Sequence, residues 1–206
     1  MKKYLIYLFA LIIIFTIISC NNHQKELPFL GVHTYQNNDT VYFTLPEYKF
    51  TRQDSTIFGS EQLKGKPYIA FFFFTSCPSV CPRMTQSAKR IQNSLNNYLD
   101  KFNIVSFSID PDRDSLPKLR NFAKKYDADL HNWHFLRGDE QKINDIGKKG
   151  FYLGISKDKN EPGGYLHSEK MILVDKDGHL RGYYSGTDAG EVKELIHDLK
   201  TLIFNK

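Results

Sequence analysis

Cysteine is scarce in this chain: 206 residues hold three, Cys20, Cys77 and Cys81. That is too few for a disulfide-built scaffold. A bridge between Cys77 and Cys81 would close so small a loop that it removes little entropy from the unfolded chain, so reactive or metal-binding thiols explain the pair better than a structural staple. Charge of a single sign is also missing. The 28 basic residues are interspersed with 23 acidic ones for a formal net charge of +5. The Lys-Lys pairs at 124–125 and 148–149 read as solvated helix faces, so nothing points to nucleic acid. There is no internal repeat and no low-complexity tract, and the length allows one domain and little more.

Long apolar runs are limited to two, and each has a distinct meaning. The first, Tyr4 to Ile18, follows Lys2 and Lys3 and leads into Ile17-Ile18-Ser19-Cys20. A basic start, an apolar stretch and a small residue before cysteine resemble a bacterial lipoprotein signal, with residues 1–19 removed and Cys20 acylated. Ile17 stands where that signal usually has Leu. An uncleaved transmembrane anchor is the other reading of the same run, which is slightly short of a full span. Both readings hold the remainder at a membrane in the cell envelope, outside the cytoplasm. Residues 20–40 are polar and weakly patterned and are expected to form a tether, with the folded domain at 41–206.

The second run, Tyr68-Ile-Ala-Phe-Phe-Phe-Phe-Thr75, has no polar alternation and reads as a central strand covered on both faces. Cys77-Pro-Ser-Val-Cys81-Pro follows at its carboxyl end, where open α/β sheets place ligands. Pro82 is expected to open the next helix, whose amino end favours thiolate. Met84, Ala88, Ile91 and Leu95 recur at helical spacing, and Asn103 to Asp110 supplies another buried strand. Further along, Ser115 to Tyr126 reads as a helix, Trp133 to Leu136 as a short strand, and Glu140 to Lys149 as a helix ended by Gly150. Lys170–Asp175 and Leu180–Tyr184 form a hairpin around Lys176-Asp-Gly178, and Ala189 to Phe204 closes the chain as an amphipathic helix. Val41–Thr44 and Tyr48–Phe50 are expected to pair as an amino-terminal hairpin. The class is α/β, with a thioredoxin-like mixed central sheet and helices on both faces.

Three ordered motifs identify a family. Phe73-Phe-Thr-Ser-Cys77-Pro-Ser-Val-Cys81-Pro82, then Ser108-Ile-Asp110-Pro-Asp-Arg113-Asp114, then His167-Ser168 ahead of a strand ending Val174-Asp-Lys-Asp-Gly178 resemble the Sco/SenC family of copper-binding assembly proteins. The resemblance covers about Thr40 to Leu202. It implies that Cys77, Cys81 and His167 bind copper, as Cu(I) or Cu(II). It also implies that the chain helps metallate the CuA centre of cytochrome c oxidase subunit II, or another exported copper protein. One departure is Leu166, where many members carry Asp next to the histidine, which changes the local charge.

The residue chemistry agrees with that set: two thiolates and an imidazole suit a soft ion of low coordination number. It also leaves a second function open, a thiol-disulfide oxidoreductase in which Cys77 attacks and Cys81 resolves. The three-residue spacer lacks the two-residue geometry of thioredoxins, and Thr75 with Cys77 does not reproduce the T-x-x-C nucleophile motif of peroxiredoxins. His131, His134, His179, His197, His23 and His33 read as structural or surface residues. Asp110 to Asp114 falls near the thiols, where its charges serve either to orient the metal loop, to dock a partner, or to cap a helix and form salt bridges.

Overall fold

The computed structural model describes residues 26–161, 163–166 and 168–204. The expected signal segment 1–19, the expected lipidation site Cys20, Pro162 and the expected ligand His167 lie outside the described residues. Two short strands open the described chain, β1 (Thr34–Gln36) and β2 (Asp39–Val41), joined by Asn37 and Asn38, both at positive φ as a tight hairpin turn requires. The centre of the molecule is a parallel trio, β5 (Tyr68–Phe73), β6 (Asn103–Ser108) and β7 (Trp133–Arg137). Helix α1 (Val80–Ser94) connects the first two strands and α2 (Leu116–Lys125) the second two.

Antiparallel strands complete the sheet on both sides. β3 (Lys49–Arg52) pairs with β7 and carries β4 (Ile57–Gly59) at its outer edge. β10 (Lys170–Val174) pairs with β5 and turns back into β11 (Leu180–Ser185). The order is β11-β10-β5-β6-β7-β3-β4, the mixed thioredoxin-like sheet expected. Helix α3 (Glu140–Asp145) runs into a π-helical turn at Ile146–Gly150, and α4 (Ala189–Phe204) ends the fold. Among the described residues, no helix is long and apolar enough to cross a membrane.

Residues 68–74 show why β5 reads as one apolar run. Phe72 packs on Phe107 and Phe151 at ring separations of 4.9 and 5.5 Å, on the side of the π-helical turn. Its neighbour Phe73 packs on Phe122 of α2 at 5.0 Å. Adjacent strand residues point to opposite faces, so helical elements cover both. Such a strand has no solvated side on which to place a polar group, and its chemistry is displaced to its end.

Two expectations require correction. The segment 20–40 is not a loose tether throughout: Leu27 to Leu30 are packed on the domain. Leu27 is buried, Leu30 N donates to Leu180 O at 2.9 Å, and Arg181 donates to the carbonyls of Pro28 and Leu27 while stacking 4.0 Å from the Phe29 ring centroid. The apolar residues Leu27, Phe29 and Leu30 supply the anchor within an otherwise polar stretch. The amino-terminal hairpin is also not Val41–Thr44 with Tyr48–Phe50. Leu45 N donates instead to Gly178 O at 3.0 Å, so this stretch crosses the β10–β11 turn, and the two hairpins form on either side of it.

His134 in β7 is buried, with its Nε2 3.0 Å from Asn103 Oδ1, its ring 4.1 Å from Phe58, and Nδ1 without a hydrogen-bond partner among the described residues. Burial, reinforced by Arg52, lowers its pKa from 6.5 to about 4. Protons then bind the unfolded chain more readily than the folded one between those values. Stability is fully present above about pH 6.5, falls as pH drops, and stops falling on this account below about pH 4. Urea unfolding at pH 7 and pH 4.5 should show His134→Gln losing less stability over that interval than the unsubstituted protein, by on the order of 2 kcal/mol. Equal losses would contradict the assignment.

Candidate metal centre

Where β5 ends, the chain turns at Thr75 and places Cys77 just before α1 and Cys81 in its first turn. The helix begins at Val80, so Pro82 is its third residue and not its first, a position where a missing N–H still leaves no helical hydrogen bond broken. Cys77 N donates to Phe74 O at 3.2 Å, and the Cys81 carbonyl accepts from Thr85 Oγ1 at 2.7 Å. Cys77 is 7% exposed and Cys81 0%. The thiols thus lie at the rim of the sheet as expected, but beneath its surface, with Cys77 the outer of the two and its sulfur 3.8 Å from Ser79 Oγ.

The two sulfurs are within hydrogen-bonding reach of each other. That bond, then burial, then the charge of Cys77 push the Cys81 thiol pKa far above its usual value, with Asp114 adding in the same direction. The expected depression by the helix amino end is overridden, because a proton held between two sulfurs outweighs half a charge at the first helical turn. Tyr126, at the end of α2, is coupled to the same pair. Burial raises its phenol pKa first, and the thiols Cys81 and Cys77 raise it further. A site that disfavours two thiolates in the absence of a cation is stabilised when a soft cation supplies the missing charge.

The acidic motif after β6 supports this turn from below. Asp114 is fully buried and accepts from Thr75 N at 3.1 Å and Ser108 Oγ at 2.6 Å, as well as from Thr75 Oγ1. Asp110, also buried, pairs with Arg113 and accepts from Tyr165 Oη at 3.3 Å. Of the roles open to this motif, orientation of the thiol loop and salt bridging are both realised. Ser115 is the residue before α2 but makes no side-chain cap.

A small ribbon, β8 (Ser156–Lys157) paired with β9 (Tyr165–Leu166), brings the segment before His167 to the same rim. The Tyr165 ring lies 5.4 Å from that of Phe74. Gly163, at φ +86°, approaches so closely that a Cβ there would stand 2.7 Å from the Phe74 ring and 3.4 Å from Pro78. Past His167, Glu169 accepts from Ser185 Oγ at 3.1 Å and from Thr187 Oγ1 at 2.7 Å. Among the described residues, no three of His, Cys, Asp and Glu form a metal cluster, and the third member of the expected set is His167, which is not described. The two described sulfurs fit a soft ion by their softness and mutual approach.

Among the described residues, the histidines other than His134 keep surface or structural places. His131 is exposed beside Asp100 at 2.6 Å, and His179 lies 2.8 Å from Phe43 O through Nδ1. The β8–β9 ribbon and Tyr126 are not legible in the sequence; the only signal is Gly163-Gly164 ahead of an aromatic residue.

The SCO1/SenC family model matches residues 37–203. A SCO1/SenC family lipoprotein from Bacillus anthracis str. Ames is 34% identical with a TM-score of 0.72, over 77% of this chain and 94% of its own. BsSco, described as a member of the Sco family of cytochrome c oxidase assembly proteins with a disulfide switch, is 30% identical with a TM-score of 0.71, over 80% and 95%. ScoI of Bradyrhizobium japonicum, solved with copper bound, is 25% identical with a TM-score of 0.66, over 78% and 99%.

Removing the Asp114 carboxylate would leave Thr75 and Ser108 without their acceptor. Asp114→Ala should lower the unfolding free energy by about 3 kcal/mol and speed the alkylation of Cys77 by iodoacetamide. An unchanged urea midpoint together with an unchanged alkylation rate would show that the carboxylate does not hold the thiol turn.

Proposed function

Because this chain belongs to the SCO1/SenC family, we propose that it is an extracytoplasmic copper-binding protein that helps to assemble the CuA centre of cytochrome c oxidase, with Cys77, Cys81 and His167 as the copper ligands. The observation that carries this reading is the buried pair Cys77 and Cys81 at the end of β5, with their sulfurs within hydrogen-bonding reach of each other. Copper is the cargo. On binding it would replace the proton held between the sulfurs, and the imidazole of His167 would complete a soft three-donor set.

Transfer then proceeds by ligand exchange, with incoming ligands of the oxidase subunit taking over from those of the chaperone. Cu(I) is the natural occupant of two thiolates and an imidazole, and Cu(II) is held when solvent or a side chain supplies a fourth ligand. The copper-bound state of the Bradyrhizobium ScoI supports the choice of metal, and the description of BsSco supports the oxidase as destination. Anchoring through an acylated Cys20 is proposed from the signal-like amino terminus. The Bacillus anthracis relative, described as a lipoprotein, supports it.

A second reading has a specific observation in its favour. Two sulfurs within hydrogen-bonding reach are also placed to oxidise to a disulfide, and in that form they cannot ligate copper. Thiol-disulfide exchange with an exported partner would use the same pair, Cys77 attacking as the outer sulfur and Cys81 resolving.

Copper titration of the reduced full-length protein discriminates the two readings. The copper reading expects one ion per chain after reduction, none in the disulfide form, loss of stoichiometric binding in Cys77→Ala and Cys81→Ala, and weakened binding in His167→Ala. Full-affinity binding by either cysteine variant would overturn the ligand set. In the host, deletion should lower oxidase activity, and added copper should restore it in part. Rescue by an exogenous thiol reductant but not by copper, with His167→Ala fully active, would favour the oxidoreductase.

A further inference from the structure

The β8–β9 ribbon is too small to position itself. It has two residue pairs, Ser156 with Leu166 and Lys157 with Tyr165, and it is separate from the main sheet. A ribbon of that size is not stable alone in water. Its position therefore has to come from side chains: Tyr165 packs on Phe74, Lys157 pairs with Glu140 at 2.6 Å, and Arg113 reaches both the ribbon and the thiol loop. Arg113 Nη2 donates to Gly163 O at 2.7 Å, while Nε donates to the buried carboxylate of Asp110. The guanidinium carbon lies 5.7 Å from the ring centroids of both Phe74 and Tyr165. The Tyr165 hydroxyl donates to the same Asp110 carboxylate.

Arg113 thus joins the end of β6, the last residue before the thiol turn and the segment leading to His167. We propose that Arg113 is the positioning residue of the copper site: it clamps the β8–β9 ribbon onto the thiol loop, and the rate at which copper leaves is set by how often this clamp opens. The proposal rests on the copper reading above for its second half and on the geometry alone for its first.

The chemistry requires Arg at this position. A guanidinium donates in two directions from a planar fork and stacks on aromatic faces. Lysine has one point charge, and it can serve either Asp110 or the Gly163 carbonyl with the correct geometry but cannot lie flat beside two rings. With 44% of the Arg113 side chain exposed, substitution should leave the core intact. The clamp is therefore strong enough to hold the ribbon and accessible enough to be released by an approaching partner.

The test uses the full-length protein, with Arg113→Ala and Arg113→Lys beside the unsubstituted chain. In the metal-free state, amide hydrogen exchange across residues 156–166 should accelerate about five- to tenfold in Arg113→Ala, the size of one charge-assisted hydrogen bond discounted for exposure. Exchange in β5 and β6 should not change. In the Cu(I)-loaded state, release to a chromogenic Cu(I) chelator should accelerate by a similar factor, with stoichiometry unchanged and Arg113→Lys between the other two. Unchanged exchange in the ribbon overturns the clamp. Equal acceleration in β5 and β6 overturns it too, since that marks general destabilisation. Faster exchange with unchanged copper release overturns the link to the metal. Absence of copper uptake by the unsubstituted chain overturns the copper reading, and the exchange data then decide the clamp by themselves.

Discussion

The hydrogen bonds between the Asp114 carboxylate and Thr75 are the constraint on which the site depends. A strand with aromatic side chains on both faces cannot end gradually, because its next residues must leave a dry core and still satisfy their backbone. Thr75 N meets that demand by donating to a carboxylate with no exposure, which Ser108 at the end of the neighbouring parallel strand also contacts. One buried charge thus ties the ends of β5 and β6 together and fixes where the following turn begins. The position of Cys77, the start of α1 and the placement of Cys81 in its first turn all follow from that point.

Above this turn, the segment containing His167 is held from both sides by different physics. Before it, Gly163 and Tyr165 are packed on Phe74 and tied to Asp110 and Arg113. After it, the Gly186 N–H donates to Glu169 O at 2.9 Å, and the Glu169 side chain receives two hydroxyls from the end of β11 and the turn that follows. The first attachment is aromatic and partly exposed, and the second is one backbone hydrogen bond plus two hydroxyls donated to the Glu169 carboxylate, which hold its pKa below the usual value. Such an arrangement fits a site that must both retain a metal and surrender it: buried sulfurs below, and above them a small ribbon held by side chains and not by the main sheet.

Much of this was legible from residues alone, for identifiable reasons. A short aromatic-rich apolar run without alternation reads as a strand covered on both faces, so the location of the thiols at its end followed. The α4 helix and the β10–β11 hairpin were legible because a helical periodicity and an Asp-Gly turn are local signals. The β8–β9 ribbon was not, since two-residue strands have no periodicity. The packing of residues 27–30 was hidden by polar neighbours, and its cause, Arg181, lies 153 positions beyond Pro28 in the chain. Charge in the Asp110–Asp114 motif was visible, but which oxygen serves which partner is decided by tertiary contacts. The high pKa of the Cys81 thiol reverses the expectation drawn from the helix amino end, because the position of the neighbouring sulfur outweighs the local dipole.

The central claim is that Cys77, Cys81 and His167 together hold one copper ion. X-ray absorption at the copper edge of the Cu(I)-loaded, full-length protein addresses it most directly, since it reads the atoms around the metal. The account predicts two sulfur scatterers and one nitrogen scatterer of imidazole type, with the imidazole signal lost in His167→Ala. A shell of nitrogen and oxygen alone, or an unchanged imidazole signal in that variant, would contradict it.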